Sequence, residues 1–157
     1  MKKSFFKIIS ILLAVAMIVA MSSCTFYERK NKDLSYYKDI KNYVKATGTV
    51  SEIIVNDNAD DNDPSLLCKI NDNDSEFLYF REFEIVGDNW ALVKERGILD
   101  KLHEGDQIDF ITSKVVIGPS VVRPIVELSV NGEELLSLKE GYNNYIEYIK
   151  SRSIFDF

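Results

Sequence analysis

Hydrophobic and polar positions change their rhythm several times along the chain. From Ile8 to Met21 every residue except Ser10 is Ile, Leu, Met, Val or Ala, a run shorter than the roughly 20 apolar residues that cross a bilayer comfortably. From Asp33 the rhythm becomes helical. Leu34, Tyr37, Ile40 and Val44 recur at helical spacing, Asp33 can cap the start and Gly48 stands past the end, so the spacing predicts a helix over 33–48. TGTVSEIIV is rich in β-branched residues and is closed by the turn formers NDNADDNDPS, which predicts a first strand and a loop. SLLCKI and EFLYFREFEIV read as a second and third strand joined by NDNDS.

The second half repeats the alternation. DNWALVKERG has helical character, with Asp88 as the expected cap and Gly97 as the stop. ILDKLHEGD, a short helical turn, leads into QIDFITSKVV, a fourth strand. In the fifth, RPIVELSV, alternation places Val126, Leu128 and Val130 on one face, and Pro124 suits a strand beginning or an edge. Asn131-Gly132 is a two-residue hairpin signal, so EELLSL should fold back on the fifth strand. Ser137 and Glu140 have capping-box spacing ahead of a last helix, whose apolar stripe is Tyr142, Tyr145, Ile146 and Ile149.

The order is helix, three strands, helix, two or three strands, helix, which predicts a mainly β chain with flanking helices, of the α+β class. GTVSEI at the first strand and EGDQIDF at the fourth resemble segments of OB-type domains found in bacterial lipoproteins. That resemblance covers about residues 47–130. It implies a five-stranded OB-like barrel with a helix between strands 3 and 4, here with added N- and C-terminal helices. A β-sandwich and an α+β roll share this element order and stay open.

Lys2, Lys3 and Lys7 precede the apolar run, and Ser22-Ser23-Cys24 follows it. Basic start, short apolar core and small residues are the parts of a secretory signal peptide. With the cysteine they resemble the lipobox of bacterial lipoproteins, Met21 standing where that family usually has Leu. The resemblance implies that the Cys24 thiol receives a diacylglycerol, that the chain is cut before Cys24, and that the new amino terminus is often acylated, with palmitate the class of chain. Two acyl chains anchor firmly because burial contributes about 0.8 kcal/mol per CH₂. The implied organisation is a signal peptide over 1–23, a lipidated cysteine and short tether over 24–32, and one globular domain over 33–157, held on the outward face of a bacterial cell membrane. The other readings of the run are an uncleaved anchor and ordinary secretion. Eight tether residues reach at most roughly 26 to 29 Å, so the domain sits close to its membrane.

Cleavage alters the charge balance. The whole chain has 19 basic and 25 acidic side chains, and losing Lys2, Lys3 and Lys7 leaves 16 against 25, a net of −9. A chain of this sign does not neutralise phosphates, so no nucleic-acid partner is expected. The local basic cluster of the tether is Arg29, Lys30 and Lys32, which can rest on lipid head groups.

Candidate chemistry is sparse. His103 is the one histidine, which rules out a multi-histidine zinc site and leaves a Ser-His-Asp triad one possible base; no G-x-S-x-G elbow occurs. With Cys24 lipidated, Cys68 has no partner for a disulfide, and its place in the alternating SLLCKI suits a small core residue. Ser35 and Lys38 have S-x-x-K spacing, but so do Ser4 and Lys7 in the leader, and neither S-D-N nor K-T-G is present. Asp57, Asp60, Asp61 and Asp63 offer hard oxygens of the kind Ca²⁺ takes, without the Gly and terminal Glu offsets of an EF-hand, so a solvated acidic loop is the expectation. Phe77, Tyr79, Phe80, Phe83 and Trp90 could line a sugar or peptide site, or form core. No cofactor is expected. Two functions remain: a lipid-anchored binding module for a protein, peptide or glycan, which is favoured, and a small cell-envelope hydrolase using carboxylates that no pattern singles out.

Overall fold

The computed structural model describes residues 31–57, 65–71, 74, 81–116 and 122–151. Residues 31–37 form α1, and a 3₁₀ turn, Ile40–Asn42, leads into β1, Tyr43–Asn56. Then come β2 (Ser65–Asn71), β3 (Glu82–Val86), α2 (Asp88–Glu95), a second 3₁₀ turn (Ile98–Asp100), β4 (Gln107–Ser113), β5 (Arg123–Val130), β6 (Glu133–Leu136) and α3 (Leu138–Ser151). The expected mainly β class holds: six strands share one sheet, joined by three helices.

The sheet order is β3-β2-β1-β4-β5-β6, each neighbour antiparallel to the next. β3 also pairs with β5, in parallel, at Phe83↔Arg123 and Glu84↔Pro124. The long β1 makes this possible. Its first half, Tyr43 to Thr49, pairs with β4 and its second half, Thr49 to Asn56, pairs with β2. A register shift between Val50 and Glu52 breaks the second ladder, and there the Ser51 hydroxyl donates to the Lys69 carbonyl at 3.1 Å. Such a bulge bends a strand and increases its twist.

The predicted helix over 33–48 is corrected. Helix persists only through residue 37, and it includes Asn31 and Lys32, which the sequence assigned to the tether. Two local preferences win over the helical spacing. The Asp39 carboxylate accepts from the Lys41 backbone N–H at 3.0 Å, which fixes a turn rather than a continuing helix. Beyond it, Val44, Ala46, Gly48 and Val50 alternate with Lys45, Thr47 and Thr49, a two-residue period. Gly48, read as a helix stop, lies inside β1 opposite Ile108.

Other elements agree with expectation except in detail. Gly97 ends α2 in the left-handed region, φ 61°, whereas the residue before α2 is Gly87 and Asp88 opens the helix without a side-chain cap. Asn131 and Gly132 both have positive φ, 50° and 85°, the conformation that a two-residue hairpin between right-twisted strands requires. Ser137 precedes α3 and its hydroxyl donates to Glu140 at 2.6 Å. On β5, Leu128 and Val130 lie in the main core but Val126 lies in a second cluster, because the β4–β5 register shifts between Ile111 and Thr112 and one extra β5 residue turns the chain over. β4 stops at Ser113, three residues short of the predicted end, and of the predicted third strand, 76–86, residues 81–86 are described, with Glu82–Val86 in the strand.

Two apolar clusters hold these elements. The first is lined by alternate residues of β1, β2, β3, β4 and β5, with Phe83 and Phe110 edge-on at 4.8 Å, and is filled by Trp90 and Val93 of α2 and Ile98 of the 3₁₀ turn. The second lies under α1 and α3. There Tyr37 and Tyr145 meet edge-on at 5.3 Å over Tyr43, Val86 and Val126.

Candidate functional site

The outward face of β1, β2 and β3 carries the ordered polar row of the molecule. Register places Glu52 opposite Lys69 and Lys69 opposite Glu82. The Lys69 ammonium lies 2.8 Å from Glu52 and 4.0 Å from Glu82. These partners hold its pKa above the ordinary lysine value, the Glu52 hydrogen bond first. The next row across the same strands is Ile54, Leu67 and Glu84. At the edge, Arg81 donates to the Asn71 side chain at 2.9 Å. The face therefore offers alternating charge beside half-buried apolar side chains, a surface that can hydrogen-bond an extended peptide or a glycan.

The groups singled out from the sequence are dispersed around it. Cys68 points to the core, fully buried, and burial pushes its thiol up to about 12, so it is a weak nucleophile at neutral pH. His103 lies in the exposed turn before β4, at the opposite end of that strand from Ser113. Its backbone N–H donates to the Asp106 carboxylate at 2.7 Å, and its Nδ1 is 3.6 Å from the same oxygen. Asp106 is held below the ordinary carboxylate value, first by the Asn131 side chain and then by that backbone N–H. This carboxylate ties the turn to the β5–β6 hairpin. Ser35 and Lys38 are exposed, one on α1 and one just after it. Phe83 and Trp90 are core residues, with Lys94 lying 5.1 Å over the Trp90 ring.

Of the acidic loop, Asp57 is described and pairs with Lys94 at 3.1 Å. Asp60, Asp61, Asp63, Phe77, Tyr79, Phe80 and Cys24 lie outside the described residues. Among the described residues, no group of three or more His, Cys, Asp or Glu side chains is placed to hold a metal ion. None of the described helices is long and apolar enough to cross a membrane.

Several arrangements have no signal in the sequence. Arg123, 3 % exposed, is buried near Tyr36 and Tyr37; burial lowers its pKa, and the two tyrosines oppose that shift. Asn89 is buried at the start of α2 and donates to the Gly141 carbonyl at 2.8 Å, fixing α2 to α3. Arg96 reaches the Glu140 carboxylate at 2.7 Å from the other end of α2. Each joins segments far apart in the chain, which spacing cannot reveal. Compared with family models, with curated proteins and with solved structures, the chain has no match.

Proposed function

We propose that this chain is a lipid-anchored binding module on the outward face of a bacterial membrane, tethered through Cys24. In this reading it presents an OB-like five-stranded barrel whose β1–β2–β3 face takes a protein, peptide or glycan. The observation that carries the binding reading is the series of strand pairings, β1 to β2, β2 to β3, β3 to β5, β5 to β4 and β4 back to β1, which returns to its starting strand. With α2 between β3 and β4, that series supports a closed OB-type barrel, and such barrels bind through the face of their second and third strands and adjacent loops. The net acidic charge favours a peptide or glycan over an oligonucleotide on that face. The address rests on Lys2, Lys3 and Lys7, the short apolar run and Ser22-Ser23-Cys24.

The face is tested by capture from solubilised cell envelopes, with the acylated chain as bait and Lys69→Glu with Leu67→Ser as the comparison. Both side chains are partly exposed, so the paired variant should keep its fold, which circular dichroism verifies. A protein or glycan retained by the native chain and lost by the variant supports the reading. Identical capture by both places binding elsewhere and contradicts it.

A further inference from the structure

Three large apolar side chains among the described residues are exposed, Ile40, Val55 and Val115, each on nearly half its surface. Two of them share one corner. Ile40 opens the 3₁₀ turn after α1, and Val115 follows the end of β4. The segments are knit together: the Lys114 N–H donates to the Asn42 carbonyl at 2.8 Å, the Lys114 ammonium donates to the Lys41 carbonyl at 2.6 Å, and the Val115 N–H donates to the Tyr36 hydroxyl at 3.3 Å. Lys38, Lys41 and Lys114 lie on the same two segments as the two apolar side chains. Asp39 is an exposed acid among them, and its carboxylate accepts from the Lys41 backbone N–H at 3.0 Å. In a chain whose globular part is strongly acidic, this corner gathers cations from two distant segments. Sequence order hides it.

The corner lies one short helix away from where the chain arrives from its leader. Lys38 directly follows α1, whose seven described residues span about 10 Å. Seven peptide steps separate Cys24 from Asn31, and they extend to at most about 25 Å. Whatever holds residues 1–24 to a bilayer holds this corner near it.

We propose that this corner, Ile40 and Val115 with Lys38, Lys41 and Lys114, docks on the anionic lipid surface and fixes the orientation of the domain. The inference rests on the reading that the chain is anchored near Cys24. Ile40 and Val115 enter the head-group region while the lysines meet lipid phosphates, and the acidic remainder is repelled outward. The two electrostatic effects favour one orientation. Each lysine near an anionic surface raises the docking equilibrium constant about fivefold. Docking by this corner turns the far end of β4, with its hairpin and the β1–β2–β3 face beyond it, away from the lipid.

The test is amine footprinting of the full-length chain, taken from membranes and reconstituted in phosphatidylcholine vesicles with and without phosphatidylglycerol. The reporters are Lys38 and Lys41, compared with Lys101, which pairs with Glu133 at the opposite end of the strands. Labelling of Lys38 and Lys41 relative to Lys101 should fall about fivefold or more when phosphatidylglycerol is present. It should recover in Ile40→Ser with Val115→Ser, a surface variant that leaves the core intact. An unchanged ratio, protection of Lys101 instead, or full protection in the variant overturns the proposal. Equal protection in lipid-free detergent also overturns it, because a second copy then covers the corner. The mass of the amino-terminal peptide separates this from the anchoring reading. An uncleaved leader in place of acylated Cys24 refutes lipidation, yet it leaves the orientation readable, since the apolar run then holds the same short connection.

Discussion

Gly141 shows how closely α3 approaches the sheet. A Cβ there would lie 2.2 Å from the Val126 carbonyl oxygen and 3.0 Å from Leu136. The nearest obstacle is backbone, which cannot move aside as a side-chain tip can, so Gly141→Ala should destabilise the fold by about 1 to 3 kcal/mol. Urea unfolding measures this, and an unchanged midpoint would refute the close approach. Glu140, one residue earlier, supplies a pH dependence. Hydrogen bonds from Arg96 and then Ser137 lower its pKa from the ordinary 4.5 to about 2. A carboxylate whose pKa is lowered by folding stabilises the fold fully above its unfolded value and loses that contribution as pH falls through the folded one. Native chain should therefore lose stability between pH 4.5 and about 2 more steeply than Glu140→Gln, and the difference should be small because both partners are exposed. Parallel melting curves across that window would contradict the assignment.

Elements were legible where the local signals agreed with one another. Asn131-Gly132 and Gly97 each define a turn or helix end by backbone conformation, Ser137 and Glu140 meet through their side chains at the start of α3, and each lies where the sequence places it. The helix over 33–48 failed because four apolar residues at helical spacing ran across a boundary that Asp39 and the alternation of β1 set. The face of Val126 failed for a different reason: a bulge is a property of two paired strands, and one strand's pattern cannot report it. The candidate site was less legible than the fold. Lys69 stands between two acids only after β1, β2 and β3 are in register, and the docking corner exists only once α1 meets the end of β4. The last helix gives the element-scale prediction. Tyr145 and Ile146 are buried beneath α3, with Tyr142 and Ile149 partly buried beside them. Each fully buried side chain of this kind contributes roughly 1.5 to 3 kcal/mol. Ending the chain after Ser137 should thus lower the melting temperature by many degrees or abolish folding. An unchanged melting temperature would make α3 a peripheral arm.

At the scale of the molecule, three features favour the same arrangement. In the proposed reading the leader pattern marks Cys24 for a lipid, the short connection would keep α1 near the bilayer, and the distribution of charge favours one end toward it. The β1–β2–β3 face and the hairpin end are then presented outward, which is what a binding module on a membrane needs. The proposed lipid anchoring depends on Cys24. Metabolic labelling with a fatty-acid analogue, comparing the native chain with Cys24→Ser, tests that most directly. Label is expected on the native chain and none on Cys24→Ser, which should accumulate as the longer, uncleaved precursor. Equal labelling of both, or a native chain that carries no label, would contradict it.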